Sequence, residues 1–313
     1  MAYRSLTEEE INILDDNGCW AEDWGNVSVS DDFAPKYMRH VMLYGEVSIG
    51  SFDTNIEVSP GFLKHSGICN ATLRNVSVGD NCLIENIGNY INNYTIGDNC
   101  HISNVSTIET TEGATYGQGN LISVLNEVGD GNVVLFDGLN SQIAALMVKH
   151  NADKDFWAAM RRLISEDIRA TSPDRGTIGD RVKIVNTKEI TNTIIGEECE
   201  VNGAARLSDV TVLSSQKATV YIGTGVICEN SIISHGSSII NSVKMQDCFV
   251  GEACNISNGF TASQSVLFAN CFMSNGEACA AFCGPFTASH HKSSLLIGSQ
   301  FSFYNAGSAT NFS

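Results

Sequence analysis

Aliphatic residues recur along most of this chain at six-residue intervals, many of them followed by glycine, a short polar pair and a small residue. The motif stands out in Val78-Gly79-Asp80-Asn81-Cys82, Ile96-Gly97-Asp98-Asn99-Cys100, Ile178-Gly179-Asp180-Arg181-Val182 and Val250-Gly251-Glu252-Ala253-Cys254. Intervening positions keep step, as in Ile96, Ile102 and Ile108. Alternation over four to six positions reads as a short strand with one buried face. Glycine or asparagine every sixth residue is expected to supply the freedom to turn a corner. Three strands and three corners then make one coil of about eighteen residues, and coils stack by parallel pairing at about 4.8 Å. A fixed short period of this kind predicts a solenoid. The beat is imperfect, for Ile190 to Ile195 and Met245 to Val250 are shorter steps, and Ile108 to Val128 leaves room for a loop.

Two stretches fall outside the beat. Residues 1–40 form an N-terminal cap, in which Thr7 and Glu10 have capping-box spacing ahead of a short helix ending near Asn17-Gly18. Residues 139–175 carry two apolar stripes at helical spacing, Leu139, Ile143 and Leu146, then Phe156, Met160, Leu163, Ile164 and Ile168. They predict a helical hairpin inserted between β segments at 41–138 and 176–313. Its role stays open between a lid or subunit contact and a buttress on the strands. The chain stops within repeat-like sequence at Asn305 to Ser313, as expected of an edge covered by further chain or another subunit.

Composition removes several function classes. Eighteen Lys and Arg face 35 Asp and Glu, for a net charge of −17. Nucleic-acid and anionic-membrane partners reward clustered basic residues, so neither is expected. No signal core or membrane-length apolar stretch occurs, which points to a cytoplasmic location. Of the 11 cysteines, Cys82, Cys100, Cys199 and Cys254 occupy the small-residue slot and read as apolar filler. Cys279 and Cys283 with His290 and His291 lack the paired spacing of a metal knuckle, so no metal site is expected.

The six-residue pattern resembles the hexapeptide-repeat transferases, over roughly 41–138 and 176–313. That resemblance implies an all-β solenoid, a left-handed parallel β-helix, with the helical insertion and short cap added to it. Ala288-Ser289-His290-His291-Lys292 through Leu296-Ile297-Gly298, with Asn305 to Phe312, is similar to segments of the acyltransferase domain in N-acetylglucosamine-1-phosphate uridylyltransferases. There the Asn-rich segment precedes the basic one, whereas here the order is reversed.

By that resemblance, the chain transfers an acyl group from an acyl-CoA co-substrate to a sugar or nucleotide sugar, without a tightly bound cofactor. His290 or His291 would act as general base, a task that asks for an imidazole titrating near neutrality. Lys292, Asn305 and Asn311 would bind substrate, between subunits of a homo-oligomer. His101 and His235, at coil corners, read instead as surface turn residues. The alternative is a non-catalytic binding or oligomerisation module of a larger sugar-nucleotide protein. A nucleotidyltransferase domain is absent from these residues, since the first forty contain only Gly18 and Gly25 and no phosphate loop.

Overall fold

Inward-facing side chains lie on one another in unbroken register: Leu43 on Leu73, Leu73 on Ile91, Ile91 on Ile108, Ile108 on Ile190, Ile190 on Leu207, and onward to Leu296. All are essentially buried. The computed structural model describes residues 3–312. In it, 26 strands join one sheet, accompanied by three α-helices and two small antiparallel hairpins. Most pairings in the sheet are parallel; Tyr3–Ser5 against Val27–Ser30 is antiparallel.

This architecture corrects the expected left-handed β-helical solenoid of hexapeptide repeats. The strands Met38–Ile49, Gly67–Val78 and Leu83–Ile96 run 12, 12 and 14 residues, straight through positions the beat marks as corners. Leu83–Ile96, His101–Glu109, Glu189–Ile195 and Gly176–Ile178 pair in a ring, so the sheet closes there as a small parallel barrel. The physical reason is that several bends occur at single residues inside a strand, with pairing resuming on either side. Asn70, Asn86, Asn104 and Asn186 all have φ between 52° and 56°. Asparagine tolerates this left-handed region. Their amides also hydrogen-bond in series, Asn70 to Asn86, Asn86 to Asn104 and Asn104 to Asn186, at 3.1, 3.4 and 3.2 Å.

The motif glycines serve a different purpose from the one expected. Gly79 and Gly97 are not in the left-handed region; Asn81 and Asn99 are, each at φ 57°. A Cβ on Gly79 would lie 2.7 Å from the carbonyl carbon and oxygen of Gly97, so close backbone approach selects glycine. The neighbouring aspartates link the same layers. Ser51 N–H donates to Asp80 Oδ1 (2.7 Å), Asp80 N–H to Asp98 Oδ1 (2.8 Å) and Asp98 N–H to Asp180 Oδ1 (2.9 Å).

Tyr94 is fully buried beside the barrel ring, its hydroxyl donating to Thr193 O (2.8 Å) and accepting from Thr193 N–H (3.2 Å). All 11 cysteines are free, and Cys82, Cys100, Cys199 and Cys254 are buried as filler.

At the N-terminal end, helix α1 (Glu8–Asp16) carries both bonds of the capping box between Thr7 and Glu10. Arg4 grips the same carboxylate with two bonds, at 2.8 and 2.7 Å. Helices α2 (Ser141–Lys149) and α3 (Lys154–Thr171) are capped by Asn140 and Asp153. Their buried residues Ala144, Met147, Trp157 and Ile164 form a second core with Ile232, Phe249, Val266 and Phe282 on the outer side of the sheet. The hairpin is therefore a buttress against the strands. No helix among the described residues is long and apolar enough to cross a membrane.

Removing the Tyr94 hydroxyl leaves the buried Thr193 amide short of two partners. Tyr94→Phe should therefore lower unfolding free energy by about 1–3 kcal/mol in denaturant titrations. Glu10 gives a pH-dependent counterpart. The Arg4 hydrogen bonds, outweighing partial burial, pull its carboxyl down to about 2. A depressed carboxylate stabilises the fold above its unfolded pKa of about 4.3 and loses that contribution as pH falls towards about 2. The difference in thermal midpoint between the native chain and Glu10→Gln should thus be largest near neutrality and vanish at about pH 2.

Candidate functional site

The residues flanking the inward column point outward and form a continuous face. One outward line pairs Tyr44 with Arg74, Arg74 with Asn92 and Asn92 with Glu109, then passes through Thr191 and Ser208 to Glu229. Two-residue periodicity places these side chains outside because Leu43, Leu73, Ile91 and Ile108 between them are buried.

At the N-terminal end of this face lies a cavity of about 410 Å³ lined by Tyr44, Thr72, Arg74, Tyr90, Asn92 and Glu109. Trp20 meets the Tyr44 ring edge-on at 5.3 Å and is about half exposed, like Met42 beside it in register. The Tyr90 hydroxyl donates to Glu109 Oε2 at 3.1 Å, and that contact raises the phenol pKa. Arg74 is exposed, and its guanidinium has no ion pair or hydrogen bond to another described residue. Asn92 Oδ1 is buried without a hydrogen-bond partner. The site thus offers aromatic surface, the free Arg74 guanidinium and the Glu109 carboxylate within one cavity.

A second cleft, of about 490 Å³, separates the start of α2 from the sheet. Leu213, Phe249 and Phe268 floor it, while Asp137, His235 and Glu252 are its titratable groups. His235 Nδ1 is buried and unpartnered, so this residue is only partly the surface turn expected of it. Burial, with the Asp167 charge adding to it, pushes the Asp137 carboxyl above the usual range. No Lys or Arg lines this cleft. Its two carboxylates suit hydrogen-bond donors and cations, and Asn140, Ser141, Gln142 and Ser234 line it as well.

The residues expected to carry acyl transfer do not converge. His290 is exposed after the strand Ala288–Ser289, its ring 4.3 Å from His291 and edge-on to Phe272 at 5.9 Å. Neither imidazole hydrogen-bonds a carboxylate or carbonyl among the described residues; the His290 carbonyl accepts from Asn275 Nδ2 at 3.2 Å. Lys292 is exposed in the following turn. Asn305 is registered with Ala288, near the histidine turn, but Asn311 is registered with Leu295 and belongs to the open face. Cys283 is interior, and no group of three or more His, Cys, Asp or Glu is arranged to hold a metal among the described residues.

Sequence reasoning also placed His101 at the surface, whereas it is 6% exposed within a strand. Burial pulls its pKa down, and Nδ1 lacks a hydrogen-bond partner. The aromatic and polar cavity escaped the sequence altogether. Tyr44, Arg74, Tyr90 and Asn92 sit on three strands, and the only signal was their place beside inward aliphatics.

Fold and site together define a predominantly parallel β protein with a helical buttress and an open, aromatic-and-polar outer face. The chain belongs to the DUF4954 family, described as a domain of unknown function, which it matches over residues 3–313. It is also 30% identical over 252 residues to an uncharacterized protein of Treponema pallidum (strain Nichols). That match covers 76% of this chain and 34% of the relative, so the chain spans about a third of the relative's length. This membership replaces the expected place among hexapeptide-repeat transferases and the likeness to N-acetylglucosamine-1-phosphate uridylyltransferases. The short strings behind that likeness are built from small and polar residues that turns select in any case.

Asp137 supplies a test of the insert cleft. A carboxyl whose folded pKa lies above its unfolded value destabilises the fold once pH rises through it. Asp137→Asn should raise the thermal midpoint at pH 7, and the gain should disappear below about pH 4, where both forms are uncharged.

Proposed function

We propose that the chain is a non-catalytic binding module for a sugar, held in the cavity between Tyr44 and Glu109. The observation that carries this reading is the union of aromatic surface with the free Arg74 guanidinium and the Glu109 carboxylate. Sugar hydroxyls both donate and accept, so they match a site with unused groups of each kind. The C–H faces of a pyranose ring pack on aromatic side chains such as Tyr44 and Tyr90, which bring large apolar area with a polar edge. Few convergent polar groups in a mainly preformed concavity are the usual form of a small-molecule site.

Charge favours a neutral sugar over a nucleotide sugar. Arg74 is the cavity's only cation, and Glu109 lies two ladder steps away, about 10 Å. A pyrophosphate would therefore meet one positive group partly offset by a negative one. Acyl transfer is less well supported, since His290 is exposed and both imidazoles lack a carboxylate to orient them.

Titration calorimetry with neutral mono- and disaccharides tests the reading. Tyr44→Ala and Arg74→Ala should each weaken binding about tenfold, roughly 1.4 kcal/mol, with unchanged thermal midpoints. Failure of every neutral saccharide to bind at millimolar concentration would remove the proposal. Stabilisation by acyl-CoA alone in a thermal-shift screen would favour acyl transfer in its place.

A further inference from the structure

We infer that the sugar ligand is a neutral linear polysaccharide lying along the open face, with a second subsite between Arg206 and Glu277. This rests on the sugar-binding reading of the first cavity and names the form of its ligand.

The second subsite is a cavity of about 270 Å³, whose polar lining includes Arg206, Glu229, Lys244, Gln246, Thr261 and Glu277. Register places it on the same face as the first. Glu109 pairs with Thr191, Thr191 with Ser208, Ser208 with Glu229 and Glu229 with Gln246, with no change of column. Between the clefts, the outward residues Thr107, Thr191 and Ser208 are short and hydroxylated, and Glu189 is the one longer side chain. The floor is therefore low and polar, and no aromatic wall divides the two cavities.

Unpaired groups recur at the far end. Lys244 and Gln246 are exposed, and neither side chain has an ion pair or hydrogen bond among the described residues. Arg206 is engaged by Glu229, which leaves Lys244 as the free donor. From the Tyr44 layer to the Gln246 layer the face extends roughly 35 Å at about 4.8 Å per parallel step. One step is comparable to the length of a pyranose unit, so a linear chain can present successive rings to successive layers.

Charge selects among polymers. Along the face Arg74, Arg206 and Lys244 alternate with Glu109, Glu189, Glu229 and Glu277. A polyanion gains affinity by neutralising its charges on clustered cations, and here acidic groups separate them. An uncharged, hydroxyl-rich chain meets donors and acceptors throughout.

The test uses the full chain and cello- and chito-oligosaccharides of two to eight units, titrated at physiological salt. Affinity should rise at least tenfold between the disaccharide and the octasaccharide. Lys244→Ala, and Thr191→Trp on the floor between the clefts, should each remove that gain while leaving disaccharide binding unchanged. Equal affinity at all lengths, indifferent to both substitutions, would overturn the extended-ligand inference and leave the single sugar site standing. Disaccharide and octasaccharide both failing to bind would instead remove the sugar reading itself. Tighter binding of heparin or single-stranded RNA than of any neutral chain would overturn the inference in favour of a polyanion.

Discussion

Parallel backbone pairing at one fixed spacing is the constraint on which everything else in this molecule depends. Each strand must sit about 4.8 Å from its neighbours, and inward positions must align for the apolar side chains to pile up. Gly79 and Gly97 show how tight this is, because a single methyl group would strike the backbone of the adjacent layer. Asp80, Asp98 and Asp180 each accept an amide from the layer before, and the bending asparagines hydrogen-bond in series. Polar residues are thereby as strictly ordered as the aliphatic ones.

The same constraint builds the outer surface. Once Leu43, Leu73 and Ile91 are inside, Tyr44, Arg74 and Asn92 must lie outside in a line. Aromatic and polar groups from distant parts of the chain are brought together with no loop needed to gather them. One outer side takes the helical buttress through Ile232, Phe249, Val266 and Phe282, which would otherwise be exposed apolar surface. The side carrying Tyr44 to Gln246 has a polar and aromatic lining and stays open as two clefts.

Charge enters as a selector, leaving the fold to packing. With a net charge of −17, the chain is strongly acidic, a balance that disfavours anionic ligands. The few cations on the open face are interleaved with carboxylates, which favours neutral ligands there. In the insert cleft, Asp137 and Glu252 stand without Lys or Arg, and burial together with the Asp167 charge raises the Asp137 pKa.

The sequence by itself determined the inward aliphatic positions of the repeat, that strands dominate, and that four repeat cysteines are filler, since these follow from local periodicity. It also located the capping box at Thr7 and Glu10, a contact within one helical turn. The tertiary structure alone decided that the strands merge into one 26-stranded sheet with a small barrel, because left-handed asparagines bend the chain and pairing resumes beyond them. It alone showed His101 buried, His290 and Lys292 exposed, and Asn311 in a different register column from Asn305. Tyr44, Arg74 and Asn92 could not be read together either, being separated by 30 and 18 residues. Only the register of the parallel ladder makes them neighbours.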